Sequence, residues 1–300
     1  MSVKTIAILM PGDMGHGCAI AFRENGFRVV TNLAERSERT KGLSAKAGLE
    51  DLGSFEEVAK QVDLVLSILP PERALEQSRR FADAMIAAGS TPPYVDCNAI
   101  APTTTRNVGA EIERAGARYI DGGIIGSNPV IENGGTRLYV SGPDTAAVRE
   151  LDGKGVVVRD IGDEIGRASA LKMIYASATK GTFSLHAAVL TTAHAMGLTE
   201  EYVAELSESR PAMLSAMEKM VPRIPLDAAR WRGEMHEIAT TFAETGVTSK
   251  FHEGAADIMA LADRTPIAAE TRETVDTSRT LFEALEMYVA ARQGVKDAAE

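Results

Sequence analysis

Lys172 sits in "GRASALKMIYASATKG", residues 166–181, a run of small and apolar residues with no polar face around the amine. Ala168, Ala170, Leu171, Met173, Ile174 and Ala176 are its near neighbours, and small residues at this density let a second backbone or a ligand come close. Desolvation lowers the pKa of an amine, which suits a lysine so placed to shuttle a proton. The plain alternative is a surface lysine near a helix start. A second stretch supplies the setting for redox chemistry. "ILMPGDMGHG" stands where an apolar run gives way to a helical pattern, so the dinucleotide fingerprint GxGxxG falls on Met10, Gly12 and Gly15. Gly12 lets a backbone approach a pyrophosphate, Gly15 lets the helix pack closely on a sheet, and the amides of Asp13, Met14 and Gly15 offer donors to an anion.

The second apolar run ends "TNLAERSERT". An acid here would read the ribose 2′-OH of NAD, and Glu35 is the candidate. Arg36, Ser37 and Arg39 instead suit a 2′-phosphate through charge-assisted hydrogen bonds, so NADP is the expected cofactor and NAD the alternative. A solvated loop whose charges do nothing is the bland reading.

These residues need elements to hold them, and the first half of the chain alternates β-branched runs with helical patterns, the mark of βαβ units and a parallel sheet. "KTIAIL", "FRVVTN", "VDLVLSIL", "YVDCN", "ARYIDGG", "TRLYVSG" and "GVVVRDIG" read as strands. Ser54 and Glu57 have capping-box spacing, and Gly89 closes the helix that follows Pro70 and Pro71. After Gly162 the strand signal ends, and the remainder reads as helical. The expected architecture is α/β: a Rossmann-like domain with a mainly parallel sheet over 1–162, then an all-α domain over 163–300 that opens with one bridging helix at about 163–196.

Composition sets limits. The chain has 300 residues and a net charge of −10, from 42 acidic against 32 basic residues, which disfavours nucleic acid and anionic membrane as partners. Cys18 and Cys97 are its only cysteines, in keeping with a reducing, cytoplasmic setting. The start "VKTIAILM" is too short for a signal h-region and meets a glycine turn, and no run approaches the ~20 apolar residues of a membrane span. No histidine, cysteine or acid cluster has metal-ligand spacing: His186 and His194 stand eight apart. Trp231 and the methionines at 213, 217, 220, 235 and 259 read as helix packing.

Five segments, in order, resemble the β-hydroxyacid dehydrogenase superfamily, which includes 3-hydroxyisobutyrate and decarboxylating 6-phosphogluconate dehydrogenases. "ILMPGDMG" is similar to its GLGxMG cofactor loop, "LSILPP" to its nicotinamide-side loop, and "DCNAIAP" to its DxSTxxP segment. "DGGIIGS" resembles the substrate motif DAPVSGG, and "GRASALKMIYA" the catalytic GxGxxxKxxxN. "TRLYVSGP" and "RWRGEMHEIA" are of the type of the branch whose helical domain is called 6-phosphogluconate-dehydrogenase-like (DUF1932-type). The resemblance makes Lys172 the general acid/base. It puts Leu69, Pro70 and Asn98 beside the cofactor, and Asn98, Gly122 and Gly123 at the substrate. On a helix of ~3.6 residues per turn, Thr179 shares the Lys172 stripe and so lines the same cleft, while Lys180 falls to one side as a capping or solvated residue.

The helix at about 163–196 is too apolar on several faces for one domain to cover, which predicts a homodimer packed through it and the helical domain. The resemblance implies that a partner's helical domain closes the cleft, so that His236 or His252 enters the site in trans. Departures bear on the substrate. Ile125 replaces the motif serine, Ser127 its last glycine, and Ala176 the asparagine four after the lysine, so a small 3-hydroxy acid fits less well than a bulkier or less acidic carbonyl. The expected activity is NADP-dependent hydride transfer on a small hydroxy or oxo compound. Two rivals stand beside it: an oxidative decarboxylase gripping phosphate through Arg223, Arg230 and Arg232, and a non-catalytic NADP-binding scaffold.

Overall fold

The computed structural model describes residues 2–130 and 135–292. The chain separates into two compact units, Met1–Met173 and Ile174–Glu300.

The first unit is built on an eight-stranded sheet: β1 Thr5–Leu9, β2 Arg28–Thr31, β3 Glu50–Asp51, β4 Leu64–Ser67, β5 Tyr94–Asp96, β6 Tyr119–Ile125, β7 Arg137–Ser141 and β8 Val157–Asp160. Their order is β3-β2-β1-β4-β5-β6-β7-β8, and every neighbouring pair is parallel except β6 with β7. β1 is buried along its whole length, as a parallel strand covered on both faces must be. Its alternation divides the core. Ile6 and Ile8 join Phe22 and Val140 on one face, whereas Ala7 and Leu9 join Phe81 and Tyr94 on the other. The covering helices are α1 Asp13–Glu24, α2 Glu38–Ala47, α3 Phe55–Gln61, α4 Ala74–Ala88, α5 Pro102–Arg114 and the short α6 Ala146–Arg149. Strand order reverses between β1 and β4, the switch point outside whose carboxyl ends open α/β sheets bind ligands. β3 lies outside the expected strands, because two exposed acids carry no apolar signal.

The expected single helix over 163–196 opens instead at Arg167. It runs as α7 Arg167–Ala176, passes through a π-helical turn at Ser177–Gly181, and continues as α8 Thr182–Ala195. The two units divide inside α7 rather than near Gly162, since the first turns of α7 bond to the sheet. The second unit adds α9 Thr199–Ser209, α10 Pro211–Met220, α11 Ala228–Glu244, α12 Lys250–Asp263 and α13 Leu281–Ala291. Trp231, Met217, Met235 and Met259 pack in its interior, while Met213 is exposed. Among the described residues no helix is long and apolar enough to cross a membrane.

Candidate active site

The β1–α1 turn is tight. Met10 adopts a left-handed φ of 59°, and the Gly12 amide donates to the Met10 carbonyl at 2.8 Å. Gly12 caps α1 without any side-chain hydrogen bond to the helix's first amides. Among the described residues, its chain neighbours apart, no heavy atom lies within 4 Å of the place a Cβ on Gly12 would take. Open space above a helix start is the setting a pyrophosphate requires. On the inner side a methyl at Gly15 would sit 3.2 Å from Ile8 Cγ2, so this glycine keeps α1 close to β1. The residues present therefore fit a dinucleotide.

Beyond β2, Ser37 caps α2, its Oγ accepting the Thr40 amide at 3.2 Å. Arg36 is half-buried and donates from Nη2 to Gln77 Oε1 on α4 at 3.1 Å, while its buried Nε has no partner. Burial, and then the neighbouring Arg80, lower the pKa of this guanidinium, so it stands ready for an anion. The acids nearby are engaged elsewhere. Glu35 pairs with Arg80 at 3.0 Å, and Arg39 pairs with Asp13 at 2.6 Å.

At the ends of β4 and β5, Asn98 is 1% exposed. Its Oδ1 accepts the Leu69 amide at 2.5 Å, and its Nδ2 donates to Asp96 Oδ2 at 2.9 Å and Ser67 Oγ at 3.2 Å. The sequence places Asn98 against cofactor and substrate, but here its amide ties the Leu69–Pro70 loop to the sheet. Asp96 is fully buried, and burial, reinforced by the charge of Asp121, pushes its carboxyl up to about 7 against the hydrogen bonds from Asn98.

β6 carries the expected substrate motif. A methyl at Gly122 would meet the Asp96 carbonyl oxygen at 2.6 Å, so this glycine lets β5 and β6 approach. A methyl at Gly123 would lie 2.8 Å from the Ala168 carbonyl oxygen and 3.0 Å from Lys172 Cβ, so α7 packs directly on the strand there. Lys172, half-buried, donates from Nζ to the Ile124 carbonyl. The lysine thus lies on the β6 motif.

The remaining candidates lie in the second unit. The Thr179 hydroxyl turns back to the Tyr175 and Ala176 carbonyls at 3.1 and 3.3 Å, and the π-helical turn around it breaks the even phase on which its place in the Lys172 stripe depends. Lys180 is no solvated cap. It forms an ion pair with the buried Glu234 and lies 5.5 Å from the Trp231 ring centre, and burial lowers its pKa despite that partner. Arg230 joins the same carboxylate at 2.6 Å and Asp227 at 2.9 Å. His252 is buried. Its Nε2 meets Ser177 Oγ at 2.9 Å, its ring lies 4.5 Å from that of Phe242, and burial lowers its pKa. His236 is exposed on α11. Among the described residues no cluster could hold a metal ion.

An open glycine turn at the switch point of a mostly parallel sheet, followed along the chain by a helical unit, defines a Rossmann-type fold. Residues 5–152 match the family described as the NAD binding domain of 6-phosphogluconate dehydrogenase, and residues 193–261 match the domain of unknown function DUF1932. The chain thus pairs a domain similar to the NAD binding domain of 6-phosphogluconate dehydrogenase with a DUF1932 match in its helical half. An uncharacterized 28.5 kDa protein of Methanothermus fervidus is 27% identical over 188 residues, 63% of this chain and 70% of its own. The Mycobacterium tuberculosis 3-hydroxyisobutyrate dehydrogenase, solved with L-serine, superposes with a TM-score of 0.66 at 20% identity, covering 95% of this chain and 98% of that one. An Aspergillus terreus reductive aminase, solved with NADPH and ethyl levulinate, gives 0.54 at 20% identity over 96% and 99%.

Proposed function

We propose that the protein is an NADP-dependent oxidoreductase acting between a small carbonyl compound and its alcohol, with Lys172 as the general acid/base. The observation that carries this reading is the half-buried ammonium of Lys172 on the Ile124 carbonyl, in the unit that also holds the open turn at Gly12. When bound, a nicotinamide dinucleotide supplies or accepts a hydride at the substrate carbon. The amides of Asp13, Met14 and Gly15 would hold the pyrophosphate, with Gly12 leaving room for it, and Arg36 with Ser37 would hold the 2′-phosphate. Leu69 and Pro70, with the Leu69 amide held by Asn98, would form the wall beside the nicotinamide. In reduction Lys172 donates a proton to the carbonyl oxygen, and in oxidation it takes one from the alcohol. The Ile124 carbonyl stabilises the protonated amine between these events.

Two family polar positions are apolar and buried here, Ile125 and Ala176, which favours a substrate with less acidic character than a 3-hydroxy acid. Relatives solved with L-serine and with ethyl levulinate show both kinds of ligand on this fold. The decarboxylase reading loses support because Arg230 is engaged by Glu234 and Asp227. The buried free thiols of Cys18 and Cys97 suit a reducing compartment. Ile174 on α7, Leu185 on α8 and Met196 just past its end stand exposed, and a second copy of the chain is the proposed cover. A screen of NADPH oxidation over aldehydes and ketones tests the function. Turnover on a subset supports it, whereas NADPH binding with no turnover on any carbonyl establishes the scaffold instead.

A further inference from the structure

Asp121, first residue of the β6 motif, is fully buried, yet no part of the chemistry above uses it. Its carboxylate gathers six hydrogen bonds. Oδ2 accepts the amides of Gly166 and Ala168, both at 2.9 Å, that of Ser169 at 3.1 Å, and Ser141 Oγ at 2.9 Å. Oδ1 accepts Ser169 Oγ at 2.5 Å and Thr105 Oγ1 at 3.2 Å. Three of the donors are main-chain amides at the start of α7, which have no partner within their own helix. Gly166, with a φ of 106°, has no side chain to cap them. The cap comes from the sheet instead, and it puts a carboxylate at the positive end of the helix that bears Lys172.

The same strand meets α7 at two further levels. Two residues on, Gly123 leaves room for Ala168 and Lys172, and Ile124 receives the Lys172 amine. Asp121 sets the height and rotation of α7 on β6, and a slip of one residue would swing Lys172 by ~100°. We infer that Asp121 is the positioning residue for Lys172, holding the amine at the Ile124 carbonyl by capping α7 from the strand; its consequence for turnover rests on the reading of Lys172 as proton donor. An acceptor-only carboxylate suits this task, since an amide in its place would turn an NH₂ toward N–H donors.

Reductive methylation of the whole chain with ¹³C-formaldehyde reads the position of Lys172 without any substrate, its dimethylamine signal being assigned through Lys172→Arg. In the wild type that signal should stand apart from those of the exposed lysines. In Asp121→Asn it should move onto them, and in Ser169→Ala, which removes one donor and leaves the cap amides, it should move part of the way. On a carbonyl compound that the wild type reduces, kcat should fall by up to ~10²-fold in Asp121→Asn, as for a displaced catalytic group, with NADPH affinity unchanged. A carboxylate serving only stability would lower the melting temperature and leave the Lys172 signal in place, which overturns the inference. Should Asp121→Asn not fold, Ser169→Ala decides by the same signal. Undiminished turnover in Lys172→Met would overturn the proton-donor reading instead, and the methylation result would stand apart from it.

Discussion

Asp96 receives two hydrogen bonds from Asn98, one from its main-chain amide at 2.8 Å and one from its side chain at 2.9 Å. The pair closes the end of β5 and, through Asn98, fixes the loop after β4.

A pH dependence of stability follows. Burial raises the Asp96 carboxyl from 3.8 to about 7, so between those values the folded state binds the extra proton. Stability attributable to this group should fall as pH rises from about 4 to about 7, by at most ~1.4 kcal/mol per pH unit, and then level off. Melting curves of the wild type and Asp96→Asn from pH 5 to 8 check it. The wild type should lose ground relative to the variant up to pH 7, and a constant offset would contradict the assignment.

In the proposed function cofactor choice rests on Arg36. Arg36→Ala should weaken NADPH by ~1.5–3 kcal/mol, the usual scale of a hydrogen bond to a charged group, and leave NADH nearly unchanged. Fluorescence titration of both cofactors reads the difference. Equal losses would remove the 2′-phosphate role.

The buried pair of the helical unit should be costly to break. Lys180→Met takes this cation from Glu234, 3% exposed, and about 3–5 kcal/mol of stability should go with it. Lys180→Met combined with Glu234→Leu should recover much of that loss in urea unfolding. Additive losses would show that the two side chains do not act as a pair.

Assembly gives a fourth test. If Ile174, Leu185 and Met196 are covered by a second copy, Leu185→Glu should shift sedimentation from dimer to monomer at micromolar concentration. A wild type that sediments as an active monomer would contradict the dimer and remove any role in trans for His236 or His252.

Much of the sheet unit was legible in the residues. Apolar runs bounded by glycine and proline mark β1, β4 and the helix closed by Gly89, which takes the left-handed cap with a φ of 64°. The Ser54 cap on the Glu57 amide follows from spacing alone. Other features left no local trace. A π-helical turn is a backbone event inside a run that reads as ordinary helix. Lys180 looks solvated because its partner Glu234 lies 54 residues away. Asp96 and Asp121 look like polar strand ends, and only the fold shows two buried carboxylates whose donors come from later segments. Asn98, expected beside cofactor and substrate, has its side-chain amide used by Leu69, Asp96 and Ser67.

Single-turnover kinetics of Lys172→Ala test whether Lys172 moves the proton. Alanine suits the helix, so fold and NADPH affinity should be retained. The rate of NADPH oxidation on a carbonyl compound that the wild type reduces should fall by ~10²–10⁴-fold, the range for loss of a general acid. Lys172→Arg should fail almost as badly, since a guanidinium keeps its proton at neutral pH. Wild-type rates in the alanine variant would contradict the account and leave Lys172 as a residue that merely tethers α7 to the Ile124 carbonyl.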